Sequence, residues 1–186
     1  MDRGAECYRR FLTGDDEAFV EIIKDHKDGL ILYLDGFTHN MDTAEDLMED
    51  VFVKIITQKP KYRPKASFKT WLYSIAGNVA RDWYRKQKKH IYVPIDDVKT
   101  QLAAAENMER QYLQTQRQIQ LFEALRRIHT DYAQALYLAF FEDFKNTQIA
   151  AVMHKSNRQV ENLLYRAKQA LRSELEKEGF VYEELS

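Results

Sequence analysis

The sequence predicts an all-α protein: two small helical domains joined by a flexible linker. Three observations predict it. Apolar residues recur at three- and four-residue intervals over most of the chain. The 186 residues include only six Gly and three Pro, with 31% charged side chains, which argues against β-sandwich, collagenous and Pro-rich disordered chains. The helical pattern weakens from Ile91 to about Gln118, where Pro94, Asp96 and Asp97 are followed by a polar, Gln-rich stretch. The expected units are 1–90, a linker 91–117, a second domain 118–178 and an acidic tail 179–186.

Within the first unit, Phe19, Ile22 and Ile23, then Leu30, Tyr33, Leu34 and Phe37, mark helical faces. Thr43 announces the next helix, with Asp46 three residues on to reach back to the cap. Its apolar stripe is Leu47, Val51, Phe52, Ile55 and Ile56; Glu45, Asp46, Glu49 and Asp50 make its other face acidic. Pro60 and Pro64 bracket an irregular loop. A further helix begins at Ser67 or Phe68, with Trp71 and Trp83 on the apolar side and Lys69, Tyr73, Asn78, Arg81, Tyr84 and Arg85 opposite. In the second unit Leu121, Leu125 and Ile128, then Tyr132, Leu136 and Phe140, precede two helices at about 147–153 and 157–177.

Charge is segregated beneath a formal net charge of −1. Residues 1–53 hold five Lys/Arg and fourteen Asp/Glu; residues 54–90 hold eleven Lys/Arg and one acid, Asp82; residues 145–172 hold six Lys/Arg and one acid, Glu161. Basic blocks attract phosphates, and an acidic one suits a basic protein surface. The longest apolar run, Ala135 to Phe141, is far shorter than the ~18–20 residues of a membrane span. The acidic first residues carry no secretory signal, and the single Cys7 forms no internal disulfide, so a cytoplasmic protein is expected.

Residues 146–167 fit a helix-turn-helix. Ala150 takes the position where the helices cross, His154 the left-handed turn, and Val160 the packing position, with Ile149 and Leu163 completing the wedge. Ser156 and Gln159 form a capping box. The outer face then reads Ser156, Asn157, Arg158, Gln159, Glu161, Asn162, Tyr165, Arg166 and Lys168, side chains that bond base edges and phosphates from a helix sized for the major groove. The first basic block interleaves aromatics with cations: Lys61, Tyr62, Arg63, Lys65, Lys69, Tyr73, Arg81, Tyr84 and Arg85. These are the ingredients of single-strand binding, with Trp71 and Trp83 expected in the core.

The motifs resemble the extracytoplasmic-function (ECF) sigma factors, the two-domain class of bacterial RNA polymerase sigma subunits in the sigma-70 family. Asp42 to Leu47 and Val51-Phe52 are similar to the polymerase-binding helix of that family. Ser67 to Asn78 is similar to its −10 helix, and Gln148 to Ala150 with Val160 to Lys168 to its −35 reader. The resemblance implies a sigma-2-like domain and a sigma-4-like domain. It implies that Glu45, Asp46, Glu49, Asp50 and Phe52 meet the β′ clamp helices of core RNA polymerase, and that Lys61 to Arg85 holds and melts the −10 element. It implies that Ser156 to Arg166 reads the −35 duplex, that the linker threads toward the active-site and RNA-exit channels, and that an anti-sigma factor is a partner able to hold the protein at the membrane. Glu49 departs from the common Gln, while Gln159, Glu161, Asn162 and Leu163 replace common Thr, Lys, Ser and Arg, which alters the −35 preference.

No catalytic residue, metal site, cofactor or small-molecule substrate is expected. The five histidines are scattered without metal-ligand spacing, Asp15-Asp16 and Asp96-Asp97 read as a cap and a loop, and there is no Gly-rich phosphate loop. The alternative is a helix-turn-helix regulator that acts without being a polymerase subunit. It leaves the acidic helix and the aromatic-basic block without a task.

Overall fold

The computed structural model describes residues 2–63, 65–90 and 109–177, with backbone alone for 88–90 and 109–116. Of the linker expected over 91–117, residues 91–108 lie outside these residues, as does the acidic tail, whereas 109–117 are already helical. The described residues form helices α1 (Arg3–Leu12), α2 (Asp16–Thr38), α3 (Met41–Gln58), α4 (Phe68–His90), α5 (Glu109–Arg127), α6 (Thr130–Phe140), α7 (Asn146–Met153) and α8 (Asn157–Lys177).

Helix α1 was not evident in the pattern. It buries Cys7, Tyr8 and Phe11 against α2 and the start of α4. Each such large apolar side chain contributes about 1.5–3 kcal/mol on burial. The Tyr8 hydroxyl donates to the Pro60 carbonyl at 2.7 Å, so α1 also braces the loop before α4. The two apolar runs at 19–23 and 30–37 belong to one helix, α2, capped by Asp15, whose carboxyl accepts from Ala18 N–H at 3.3 Å. It ends at His39 in the left-handed conformation, φ 51°.

Helix α3 starts earlier than expected. Asn40, not Thr43, is the cap: its side chain accepts from Thr43 N–H at 2.8 Å. Ser67 caps α4, accepting from Thr70 N–H at 3.2 Å. Trp71 and Trp83 are only half-buried, packed against the edge of the core rather than inside it.

The two halves pack together. α6 lies against α2, and α7 against α4. One continuous apolar core runs from Phe19, Leu34, Val51 and Leu72 into Ala135, Leu138, Phe144 and Ile149. A smaller cluster of Leu125, Ile128, Ala133, Leu136 and Ala167 holds α5, α6 and α8 together. Across the seam, Asp35 of α2 accepts two bonds from Arg126 of α5, at 2.7 and 3.1 Å.

Candidate nucleic-acid interface

The helix-turn-helix is built by local chemistry. His154 ends α7 with φ 54° and ψ 45°, and its N–H bonds the Ala150 carbonyl. The capping box closes as a reciprocal pair: Gln159 N–H to Ser156 Oγ at 3.2 Å, and Ser156 N–H to Gln159 Oε1 at 2.7 Å. Ile149, Ala150 and Val160 are buried in the wedge, with Leu163 half-buried beside them. Ser156, Asn157, Arg158, Gln159, Glu161, Asn162, Tyr165, Arg166 and Lys168 are all exposed along one side of α8. The face is open, and its side chains stand at the N-terminal end of α8, where a helix favours an anionic ligand.

The first basic block is divided. Lys61, Arg63 and Lys65 project from the loop into solvent, while Tyr62 is half-buried, its hydroxyl donating to the Ala66 carbonyl at 2.7 Å. Its ring packs on Phe68 and Trp71 with centroids 5.8 and 5.5 Å away. On α4, Asn78, Tyr84 and Arg85 are exposed, and Arg85 pairs with Asp82.

Tyr73 corrects the sequence expectation. Instead of standing free beside Lys69 it is 1% exposed, with its ring 5.2 Å from Tyr33 and 5.4 Å from Phe144. The face looks solvated in the sequence because the residues that cover it, Glu142 and Phe144 in the turn between α6 and α7, are about seventy positions away. Burial first, then the neighbouring Glu142 carboxyl, pushes the Tyr73 hydroxyl far above its ordinary range, which keeps it a proton donor. Lys69 and Arg81 are half-buried on the same face. Lys69 Nζ pairs with Glu142 Oε2 at 2.7 Å, and Arg81 donates to Asn78 Oδ1 at 2.8 Å.

On α3, Glu45, Asp46, Glu49 and Asp50 form an exposed acidic face. Phe52 does not join them. It is 4% exposed and meets Phe19 edge-on at 5.9 Å, as the apolar periodicity of the helix required. Ile56, expected in the stripe, is instead exposed, and so is Val53 one turn before it. The i, i+3, i+4 spacing from Glu49 and Asp50 was the signal that joins Val53 to this face. Among the described residues no group of three or more His, Cys, Asp or Glu could hold a metal ion, and no helix is long and apolar enough to cross a membrane.

An open helix-turn-helix, a second basic helix with an aromatic loop, and a separate acidic helix define a protein that binds DNA and a further protein surface. Residues 22–90 match the sigma-70 region 2 family and residues 118–171 match sigma-70 region 4. The RNA polymerase sigma factor SigV of Bacillus subtilis is 31% identical over 159 residues, 86% of this chain and 92% of SigV. The ECF RNA polymerase sigma factor SigX of the same organism is 24% identical over 168 residues, 87% of this chain and 85% of SigX. The fold matches the sigma factor RpoE from Bartonella quintana, solved in complex with the anti-sigma factor NepR. That match has a TM-score of 0.69 and 20% identity, over 85% of this chain and 96% of that one. The chain belongs to the ECF group of the sigma-70 family. It is an RNA polymerase sigma factor, a transcription initiation factor that directs core polymerase to promoters.

Proposed function

We propose that three surfaces divide the work of initiation. The acidic face of α3, with Glu45, Asp46, Glu49 and Asp50, docks on the clamp helices of the polymerase β′ subunit. The exposed side of α8, from Ser156 to Arg166, enters the major groove of the −35 element, where Arg158 and Asn162 reach base edges and Arg166 a phosphate. The loop carrying Lys61, Arg63 and Lys65, together with Lys69, Asn78, Arg81, Tyr84 and Arg85 of α4, holds the melted −10 strand. Strand capture drains the closed complex toward the open one by differential affinity, with no covalent step.

This reading assigns residues 1–90 to polymerase docking and −10 work and residues 118–178 to −35 recognition, joined by 91–117. The observation that carries it is the segregation of charge: four exposed carboxylates, Glu45, Asp46, Glu49 and Asp50, on the outer face of α3, and cations on the α4 loop and on α8. This reading suits a cytoplasmic protein working at the nucleoid, with an anti-sigma factor as a partner, since RpoE, which shares the fold, is solved in complex with the anti-sigma factor NepR.

The test is run-off transcription with bacterial core polymerase on a genomic promoter library, with and without the protein. Discrete new start sites preceded by a shared pair of motifs are the expected result. Specific duplex binding by the protein alone, with no polymerase-dependent starts, would overturn it.

A further inference from the structure

We infer that Glu161 sets part of the −35 sequence by selecting a cytosine, its carboxylate accepting a hydrogen bond from the N4 amino group in the major groove. The inference rests on the assignment of α8 to the −35 duplex.

Glu161 is the one acid among the seven charged residues of 145–172. Helix α8 carries three acids, and the other two are paired along the helix. Glu174 Oε1 accepts from Lys177 Nζ at 2.6 Å, and Glu176 Oε1 accepts from Arg172 Nε at 2.8 Å. Glu161 has no such partner among the described residues. Arg158, three positions before it, is exposed and does not close a pair with it. Lys168 Nζ is drawn instead to the Phe140 ring, 5.2 Å from its centroid. The carboxylate is therefore free to meet a donor from outside the protein.

Its direction follows from the helix. Buried Val160 and Ala167 mark the inner side of α8, and exposed Arg158, Asn162 and Tyr165 mark the side opposite. At 3.6 residues per turn, Glu161 lies roughly 60° around the axis from Arg158 and about 4.5 Å further along it. It enters the groove within two base pairs of the one that Arg158 meets.

The chemistry of the groove then chooses the base. A carboxylate only accepts hydrogen bonds. Guanine presents the acceptors N7 and O6 and thymine the acceptor O4, so both repel it. Adenine offers its N6 amino group but sets the N7 lone pair beside it. Cytosine offers the N4 amino group with no acceptor next to it on its own edge. The flanking phosphates oppose any negative charge in the groove, so Glu161 weakens binding wherever no donor meets it. A cytosine offsets that opposition, and the repulsion at other bases widens the difference.

The experiment uses holoenzyme reconstituted with bacterial core polymerase on a promoter found by run-off transcription. Its −35 region is randomised, its −10 region is fixed, and each template carries a barcode in its transcript. Sequencing the RNA reads the preferred base at each −35 position for wild type, Glu161→Gln and Glu161→Lys. Arg158→Ala serves as the variant of a neighbouring reader, and Glu176→Gln as a remote control. The expected result is a wild-type preference of about tenfold for cytosine, on one strand at one position, within two base pairs of the position that Arg158→Ala relaxes. The preference should vanish in both Glu161 variants and persist in Glu176→Gln. Glu161 is exposed, so both variants should melt as the wild type does. No cytosine preference in the wild type, one that survives in either Glu161 variant, or loss of a preference for another base would overturn the inference. Base preferences that no variant changes, Arg158→Ala included, would instead overturn the assignment of α8 to the −35 duplex.

Discussion

Asp2 and Phe68 meet at a single hydrogen bond, the Phe68 N–H donating to Asp2 Oδ2 at 2.6 Å across 66 residues of chain. The other oxygen of the same carboxyl accepts from Ala5 N–H at 3.2 Å. One side chain thus caps α1 and satisfies the first turn of α4. The backbone of α1 approaches closely enough that a Cβ on Gly4 would stand 2.3 Å from Phe68 Cδ1.

Asp2→Ala removes both bonds and is expected to lower stability by about 1–2 kcal/mol, the usual cost of losing a helix cap. Gly4→Ala is expected to cost about 1–3 kcal/mol by pushing a methyl into the buried Phe68 ring. Urea denaturation followed by circular dichroism measures both; no change for Gly4→Ala would show that α1 does not sit on Phe68.

The Asp35–Arg126 pair predicts an asymmetry. Asp35 is 7% exposed, whereas the Arg126 side chain is 30% exposed and can turn toward water. Arg126→Ala strands a buried carboxyl and is expected to cost about 2–3 kcal/mol, more than Asp35→Asn. Equal losses in denaturation would contradict the one-sided burial.

Two histidines tie stability to pH. Burial lowers the pKa of His26, with Asp25 opposing and Lys69 assisting; burial likewise lowers that of His39, against Asp35. The unfolded chain therefore binds more protons than the folded one as acid is added, so stability rises with pH. This contribution is present above about pH 6.5 and is lost as pH falls through the depressed folded values. The melting temperature should fall between pH 7 and pH 5, and less steeply in a His26→Gln/His39→Asn double variant. Identical slopes would assign the effect to other groups.

On α3, neighbouring residues are expected to fail differently. Asp46→Arg reverses an exposed charge, and should abolish holoenzyme formation in a pull-down with core polymerase while leaving the melting curve within about 0.5 kcal/mol of wild type. Phe52→Ala should cost about 3–5 kcal/mol of stability. Loss of folding in Asp46→Arg would move that residue from the surface role to the core.

On α8, Arg158→Ala and Asn162→Ala are each expected to weaken initiation at −35-dependent promoters by roughly tenfold, the loss of one good base contact, without affecting polymerase binding. Arg166→Ala should weaken binding evenly across sequences and reduce its salt dependence. Abortive transcription assays on matched and altered −35 elements separate the two effects.

What could be read from the sequence depended on how local each signal was. The helix-turn-helix was legible because its turn residue His154 and its capping pair Ser156 and Gln159 lie within six positions of one another. Helix α1 was not, because the partners that make Cys7, Tyr8 and Phe11 interior residues come from α2, Pro60 and Phe68. Tyr73 was misread for the same reason, its cover arriving from Phe144 and Glu142. Asn40 outcompeted Thr43 as a cap by a choice of a single turn, which pattern alone does not arbitrate. Phe52 carried a role implied by resemblance that its own burial does not support, while Val53 and Ile56 took the exposed places beside the acids.

The carboxylates that precede Val53 and Ile56 on the same face of α3 separate how fast a partner arrives from how long it stays. Long-range attraction of a basic surface to Glu45, Asp46, Glu49 and Asp50 accelerates encounter and fades as salt screens it. Apolar contact at Val53 and Ile56, 55% and 43% exposed, is insensitive to that screening and governs escape. Raising ionic strength should therefore slow docking on α3 far more than it hastens release.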